Sequence, residues 1–228
     1  KHLYNKNFLF FLTKIGENMY NEINLKNLLQ TAFDNALKIN ERFNKDPDIN
    51  NKNGRKSAYF VSNVANELCQ ACNKENIKLN TIQVDENGYR KSGEWLLDIT
   101  IVEKNETGFI KKIVWAIESE SDTSIEDFNK DFAKLIHIKS ENYLYLNGLD
   151  HLTCGGMTSY IDDRVKYASS LLKTSDVKTL YFAFFASPCK NGEYDSLWNE
   201  INHTDNKLNH LKNMILYKYN EGKFSVCE

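Results

Sequence analysis

The segment TLYFAFFA, residues 179 to 186, constrains the fold of this 228-residue chain more than any other stretch. After Thr179 it is apolar throughout, so a strand built from it presents hydrocarbon or aromatic surface to both sides of a sheet. Each large side chain left in water would forfeit about 1.5–3 kcal/mol, so both faces require cover, as in a buried parallel strand. Helical segments upstream can supply it. Leu25, Leu28, Leu29, Ala32, Phe33, Ala36, Leu37 and Phe43 recur at helical spacing over residues 25 to 43, and Phe60, Val61, Val64, Leu68 and Ala71 do so over 57 to 73.

Between these helices, residues 44 to 55 are polar and contain Pro47 and Gly54, which predicts a loop. Three strand-like segments follow at 77 to 84, 94 to 102 and 109 to 118, joined by NGYRKSG and KNETG, and read as an antiparallel meander. Asp122, Thr123 or Ser124 can cap the next helix, marked by Ile125, Phe128, Phe132, Leu135 and Ile138. A strand at 142 to 146, a loop LDHLTCGG, a helix at about 157 to 173 and the strand TLYFAFFA complete a helix–strand alternation. Residues 194 to 219 permit helices, although YNEGKFSV can close a terminal hairpin. The order predicts an α/β fold: a central mixed sheet of antiparallel hairpin strands followed by crossover strands, flanked by helices. Residues 1 to 24 read as an N-terminal extension and 25 to 228 as one domain.

Composition narrows the function classes. Lys plus Arg number 29 against 31 Asp plus Glu, so no global attraction for phosphate polyanions is expected. Local basic pairs stand at Arg55 and Lys56, Arg90 and Lys91, and Lys111 and Lys112. No apolar run approaches the roughly 20 residues that span a bilayer, and five scattered cysteines point to reduced thiols, so a cytoplasmic, non-membrane protein is expected. Cys69 and Cys72 form a CxxC inside a helical pattern with no second ligand pair, and the five histidines lack metal-ligand spacing. No glycine-rich phosphate loop occurs, and Cys154 lacks an elbow motif.

Carboxylates carry the chemistry that remains. Asp98 interrupts the apolar run EWLLDITIV, and Glu118 and Glu120 end the run FIKKIVWAIESE on one face. Antiparallel pairing brings that face beside Asp98. Three convergent carboxylates repel one another in a low-dielectric site, and holding them ionised calls for Mg²⁺ or a similar hard cation, with Mn²⁺ the natural substitute. Glu67 lies at the edge of the second helix's apolar stripe, where it either reaches to water or contributes to an active site.

An Asp in one strand, followed by an apolar strand ending in Glu-x-Glu, resembles the PD-(D/E)xK, or restriction endonuclease-like, nuclease superfamily over residues 57 to 147. The second motif is the Glu-x-Glu variant, since Glu120 stands where a lysine is usual, and Leu97 stands where a proline often precedes the aspartate. The resemblance implies a metal-dependent phosphodiesterase acting on DNA, an endonuclease of restriction or defence type. It implies Asp98, Glu118 and the backbone carbonyl of Ser119 as magnesium ligands, with Glu120, Lys134 and Glu67 as catalytic residues. Lys134, in the segment DFAKL, is similar to helix lysines in members whose ammonium has moved off the strand. The alternative is a catalytically inactive nuclease-fold domain that binds nucleic acid or a protein. Symmetric cutting of both DNA strands would favour a homodimer.

Overall fold

The computed structural model describes residues 22–45, 52–72, 77–81, 96–121, 124–149, 154–185 and 214–227. Helices α1 (Glu22–Lys45) and α2 (Lys52–Cys72) precede strands β1 (Ile77–Thr81), β2 (Ile99–Lys104) and β3 (Ile110–Glu120). Helix α3 (Ile125–His137), β4 (Asn142–Gly148), α4 (Cys154–Leu172) and β5 (Thr179–Phe185) follow, and β6 (Ile215–Asn220) and β7 (Lys223–Val226) end the series. The strands form one seven-stranded sheet in chain order. β1, β2 and β3 pair antiparallel, β3, β4 and β5 pair parallel through the crossover helices, and β5, β6 and β7 return to antiparallel pairing. The expected mixed sheet flanked by helices is the observed one.

Strand alternation sorts the core into two layers. Phe33 of α1 and Phe60 of α2 pack on Phe185 with ring centroids 6.3 and 4.6 Å away, so these helices cover the face that carries Trp115, Tyr181 and Phe185. On the other face Phe128 and Phe132 of α3 meet Tyr145, at 5.2 and 5.5 Å, and both also meet Phe182. Arg164 of α4 lies over Phe128 and over Tyr160, which places α4 in the same layer as α3. The apolar strand β5 is buried on both sides, as its composition demands, although its neighbours are one parallel strand and one antiparallel strand.

Local chemistry sets several boundaries. Ser124 caps α3, its Oγ accepting the Asp127 N–H at 3.1 Å and donating to Asp127 Oδ2 at 2.9 Å. The β2–β3 turn is closed by Asn105, whose Oδ1 accepts the N–H groups of Thr107 and Phe109, with Gly108 at φ 84°. The β6–β7 hairpin turns through Glu221 and Gly222, both at positive φ, the backbone of a type I′ turn that YNEGKFSV foreshadows.

Two loop assignments are corrected, for one reason. Gly54 falls inside the first turn of α2, and Gly155 and Gly156 inside the first turn of α4, rather than in loops. Glycine keeps its backbone N–H and costs a helix only conformational entropy, about 0.5–1 kcal/mol relative to alanine, so it signals a turn without forbidding a helix. Asp98 is also displaced from its expected place near the middle of a strand: β2 begins one residue after it. Residues 82–95, with Arg90 and Lys91, the caps Asp122 and Thr123, residues 150–153, residues 186–213 and the extension before Glu22 lie outside the described residues. Among the described residues, no helix is long and apolar enough to cross a membrane.

Candidate active site

The β2–β3 ladder pairs Ile99 with Ile117 and Thr100 with Ala116, so its continuation sets Asp98 opposite Glu118 on the α3 side of the sheet. Asp98 ends the ladder because its side chain replaces a main-chain acceptor: Oδ2 receives the Ser119 N–H at 2.7 Å. The N–H and C=O of one strand residue point to the same edge. The Ser119 carbonyl is therefore turned towards Asp98 and away from β4.

Glu118 is 2% exposed, although it sits near the end of its strand. Burial pushes its carboxyl up to about 8, and the Asp98 charge pushes the same way, while the Lys134 ammonium opposes both. Hydrogen bonding between the Asp98 and Glu118 carboxyls adds to the rise, since it needs a proton on one of them. A solvated sheet face would have exposed Ala116 and Val102 together with the acids; both are fully buried, although Leu96 is exposed.

Lys134 projects from α3, beside the stripe of Phe128, Phe132 and Leu135. Its Nζ lies 2.7 Å from Glu118 Oε1 and 2.8 Å from Asp131 Oδ1. Burial works against its charge, yet the close carboxylates of Asp131 and Glu118 outweigh that and hold the ammonium above its ordinary range. Glu120 is half-buried on the face of Glu118, one pleat further on, and its Oε1 accepts the Ser121 N–H at 2.7 Å. Glu67 is half-buried on α2, in the helix layer that covers the opposite face of the sheet.

Asp98, Glu118, the Ser119 main chain and Lys134 are thus brought together, with Glu120 at the rim and Glu67 in another layer. The expected set of three carboxylates becomes a facing pair. Among the described residues, no group of three or more His, Cys, Asp or Glu side chains is placed to hold a metal ion. Two facing carboxylates and a carbonyl are nevertheless an all-oxygen donor set that fits magnesium, which binds through one or two carboxylates and keeps several waters. The proton held by Glu118 to about 8 is what a divalent cation would displace.

Two polar neighbours escaped the sequence reading. Asp131 was visible only as the residue three before Lys134 in DFAKL. Tyr145 is the register partner of Glu118, and no motif announces that pairing. Its hydroxyl is buried without a hydrogen-bond partner, and burial, followed by the charges of Asp131 and Glu120, raises it well above the usual phenol range. Beside it Asn147, partner of Glu120, donates to Gly148 O at 2.9 Å and to the Tyr160 hydroxyl at 3.1 Å. The carboxyl ends of β3 and β4 therefore form a polar floor, where open α/β sheets commonly bind ligands. The sequence matches no protein-family model and no curated protein.

Proposed function

We propose that this chain is a metal-dependent hydrolase of nucleic-acid phosphodiester bonds, a DNA endonuclease with the restriction endonuclease-like arrangement of the PD-(D/E)xK superfamily. One observation carries the reading: the β2–β3 register sets Asp98, just before β2, opposite the buried Glu118 of β3, and the Lys134 ammonium reaches Glu118 from the crossover helix. An antiparallel β1–β2–β3 unit followed by parallel β4 and β5 supports the same arrangement. Lys134 would take the part of the lysine absent from position 120.

Asp98, Glu118 and the Ser119 carbonyl would hold Mg²⁺ or Mn²⁺. The ion, when bound, lowers the pKa of a coordinated water and offsets charge building on the phosphate. Lys134 offers ammonium N–H groups to a phosphate oxygen or to the attacking water. Glu120, half-buried at the rim, offers a carboxylate to accept the water's proton. Glu67, in the layer behind the sheet, is given no part in the reaction. The balanced charge of the chain means that DNA would be engaged by local basic residues rather than by a global field.

A second reading, an inactive nuclease-fold domain that binds nucleic acid or a protein, draws support from Lys134 already pairing with Glu118 and from the two-carboxylate donor set. Incubation of supercoiled plasmid with the purified protein and Mg²⁺ or Mn²⁺, beside Asp98→Ala and Glu118→Ala, separates the two. Cleavage by the wild type, lowered roughly 100-fold or more in each variant, is expected. Equal cleavage by all three proteins overturns the proposal, and absence of both cleavage and calorimetric Mn²⁺ binding in the wild type leaves the second reading standing.

A further inference from the structure

Lys134 is gripped from two elements. Glu118 holds its ammonium from the strand at 2.7 Å, and Asp131 holds it from the lysine's own helix at 2.8 Å. Residues at i and i+3 are neighbours on a helix, so the second contact survives any small movement of α3 against the sheet. The lysine side chain is 45% exposed, and without partners its flexible stem would range through solvent. Asp131 is covered, at 15% side-chain exposure, which is unlike an ordinary surface counter-ion. It also faces the site: among charged groups it acts most strongly on the buried Tyr145 hydroxyl, ahead of Glu120 and Glu118.

We infer that Asp131 is a positioning residue, which keeps the Lys134 ammonium at the mouth of the site when Glu118 turns to a cation. The purpose of this hold rests on the hydrolase reading, but the contact itself does not. A divalent ion that takes Glu118 withdraws the strand-side partner of the lysine. Asp131 then retains one of the three ammonium N–H groups and leaves the others for a phosphate oxygen.

The test uses the full chain and reads the Lys134 ammonium by ¹⁵N NMR, in chelator and then in Mg²⁺, for the wild type and Asp131→Asn. A sharp, exchange-protected signal is expected in the wild type under both conditions; in Asp131→Asn the signal should broaden in chelator, where Glu118 still holds the ammonium, and be lost in Mg²⁺. In the cleavage assay Asp131→Asn should lower kcat about tenfold with KM within about twofold. Asp131→Glu should recover part of the rate, and Asp131→Asn should add nothing in a Lys134→Ala background. An unchanged ammonium signal in Asp131→Asn overturns the inference, as does a rate loss that persists without Lys134. Asp131→Glu, which keeps the charge, separates a misfolded Asn variant from a true loss of positioning. If the wild type cleaves no plasmid, the hydrolase reading fails while the NMR comparison still decides the role of Asp131.

Discussion

Strands β2 and β3 carry a buried glutamate near each of their two ends, and the two are treated in opposite ways. Near the turn, Glu103 is covered but meets two ammonium groups, Lys111 at 2.7 Å and Lys112 at 3.2 Å, and Lys112 in turn pairs with Glu141. The Lys111 hydrogen bond leads the causes that hold Glu103 below its ordinary value, against the opposing effect of burial. At the far end Glu118 is more deeply buried, faces Asp98, and is pushed up to about 8 although Lys134 stands beside it. A sheet can thus bury a carboxylate and satisfy it, or bury one against another carboxylate. The first arrangement stabilises the fold; the second is retained at a cost in stability, which marks sites kept for a ligand or a reaction.

The sharpest way to break this contrast is Glu118→Gln in metal-free solution. A carboxyl raised from 4.5 in the unfolded chain to about 8 in the fold binds more protons when folded between those values, so its contribution to stability declines as pH rises through that window. Each tenfold in proton affinity is worth about 1.4 kcal/mol. Replacing Glu118 with neutral glutamine should therefore stabilise the protein by about 3 kcal/mol at pH 7, and flatten the decline in stability between pH 5 and 8. Denaturant titrations across that range in chelator measure it. A destabilised Glu118→Gln would show that the carboxylate serves the fold, like Glu103, and would dissolve the distinction.

The next effect comes from the cation itself. An ion that binds only the folded chain stabilises by about 2.7 kcal/mol at a hundred times its dissociation constant, or about 5–10 °C in Tm for a domain of this size. Mn²⁺ titrated into the wild type should raise Tm in this concentration-dependent way. Asp98→Asn should remove the response, whereas Glu103→Gln should keep it. A response equal in all three proteins would place the bound ion away from the Asp98–Glu118 pair.

How far the site was legible follows from the kind of information each residue needs. Asp98 and Glu118 were readable because alternation sets the face and an antiparallel turn sets the neighbour, both local properties. Lys134 was half-readable: its helical angle puts it beside the buried stripe, but whether its stem snorkels outward or reaches inward depends on what lies opposite. Asp131 was hidden because aspartate three residues before lysine is common on solvated helices. Tyr145 was hidden because only the sheet order makes it the neighbour of Glu118. The glycines at 54, 155 and 156 misled in the other direction, as turn signals that the first turn of a helix tolerates. Burial of β5 on both faces followed from its composition, but composition says nothing about the direction of its neighbours.

Glu103→Gln gives the smallest effect and the most direct control, because its sign must be opposite to that of Glu118→Gln. A carboxylate whose folded value lies below 4.5 contributes stability that is present above that value and lost as pH falls through the lowered one. Its partners are partly solvated, Lys111 at 62% and Lys112 at 36% side-chain exposure, so screening limits the contribution to about 0.5–1 kcal/mol. Glu103→Gln should therefore destabilise the protein by that amount at pH 7 and low salt, and the difference should shrink in 1 M NaCl as the Debye length falls to about 3 Å. Plasmid cleavage by this variant should match the wild type, since Glu103 lies at the turn end of the strands and away from the candidate site. A Glu103→Gln protein that is more stable than the wild type would mean that burial outweighs both lysines. The two ends of the hairpin would then differ in degree rather than in kind.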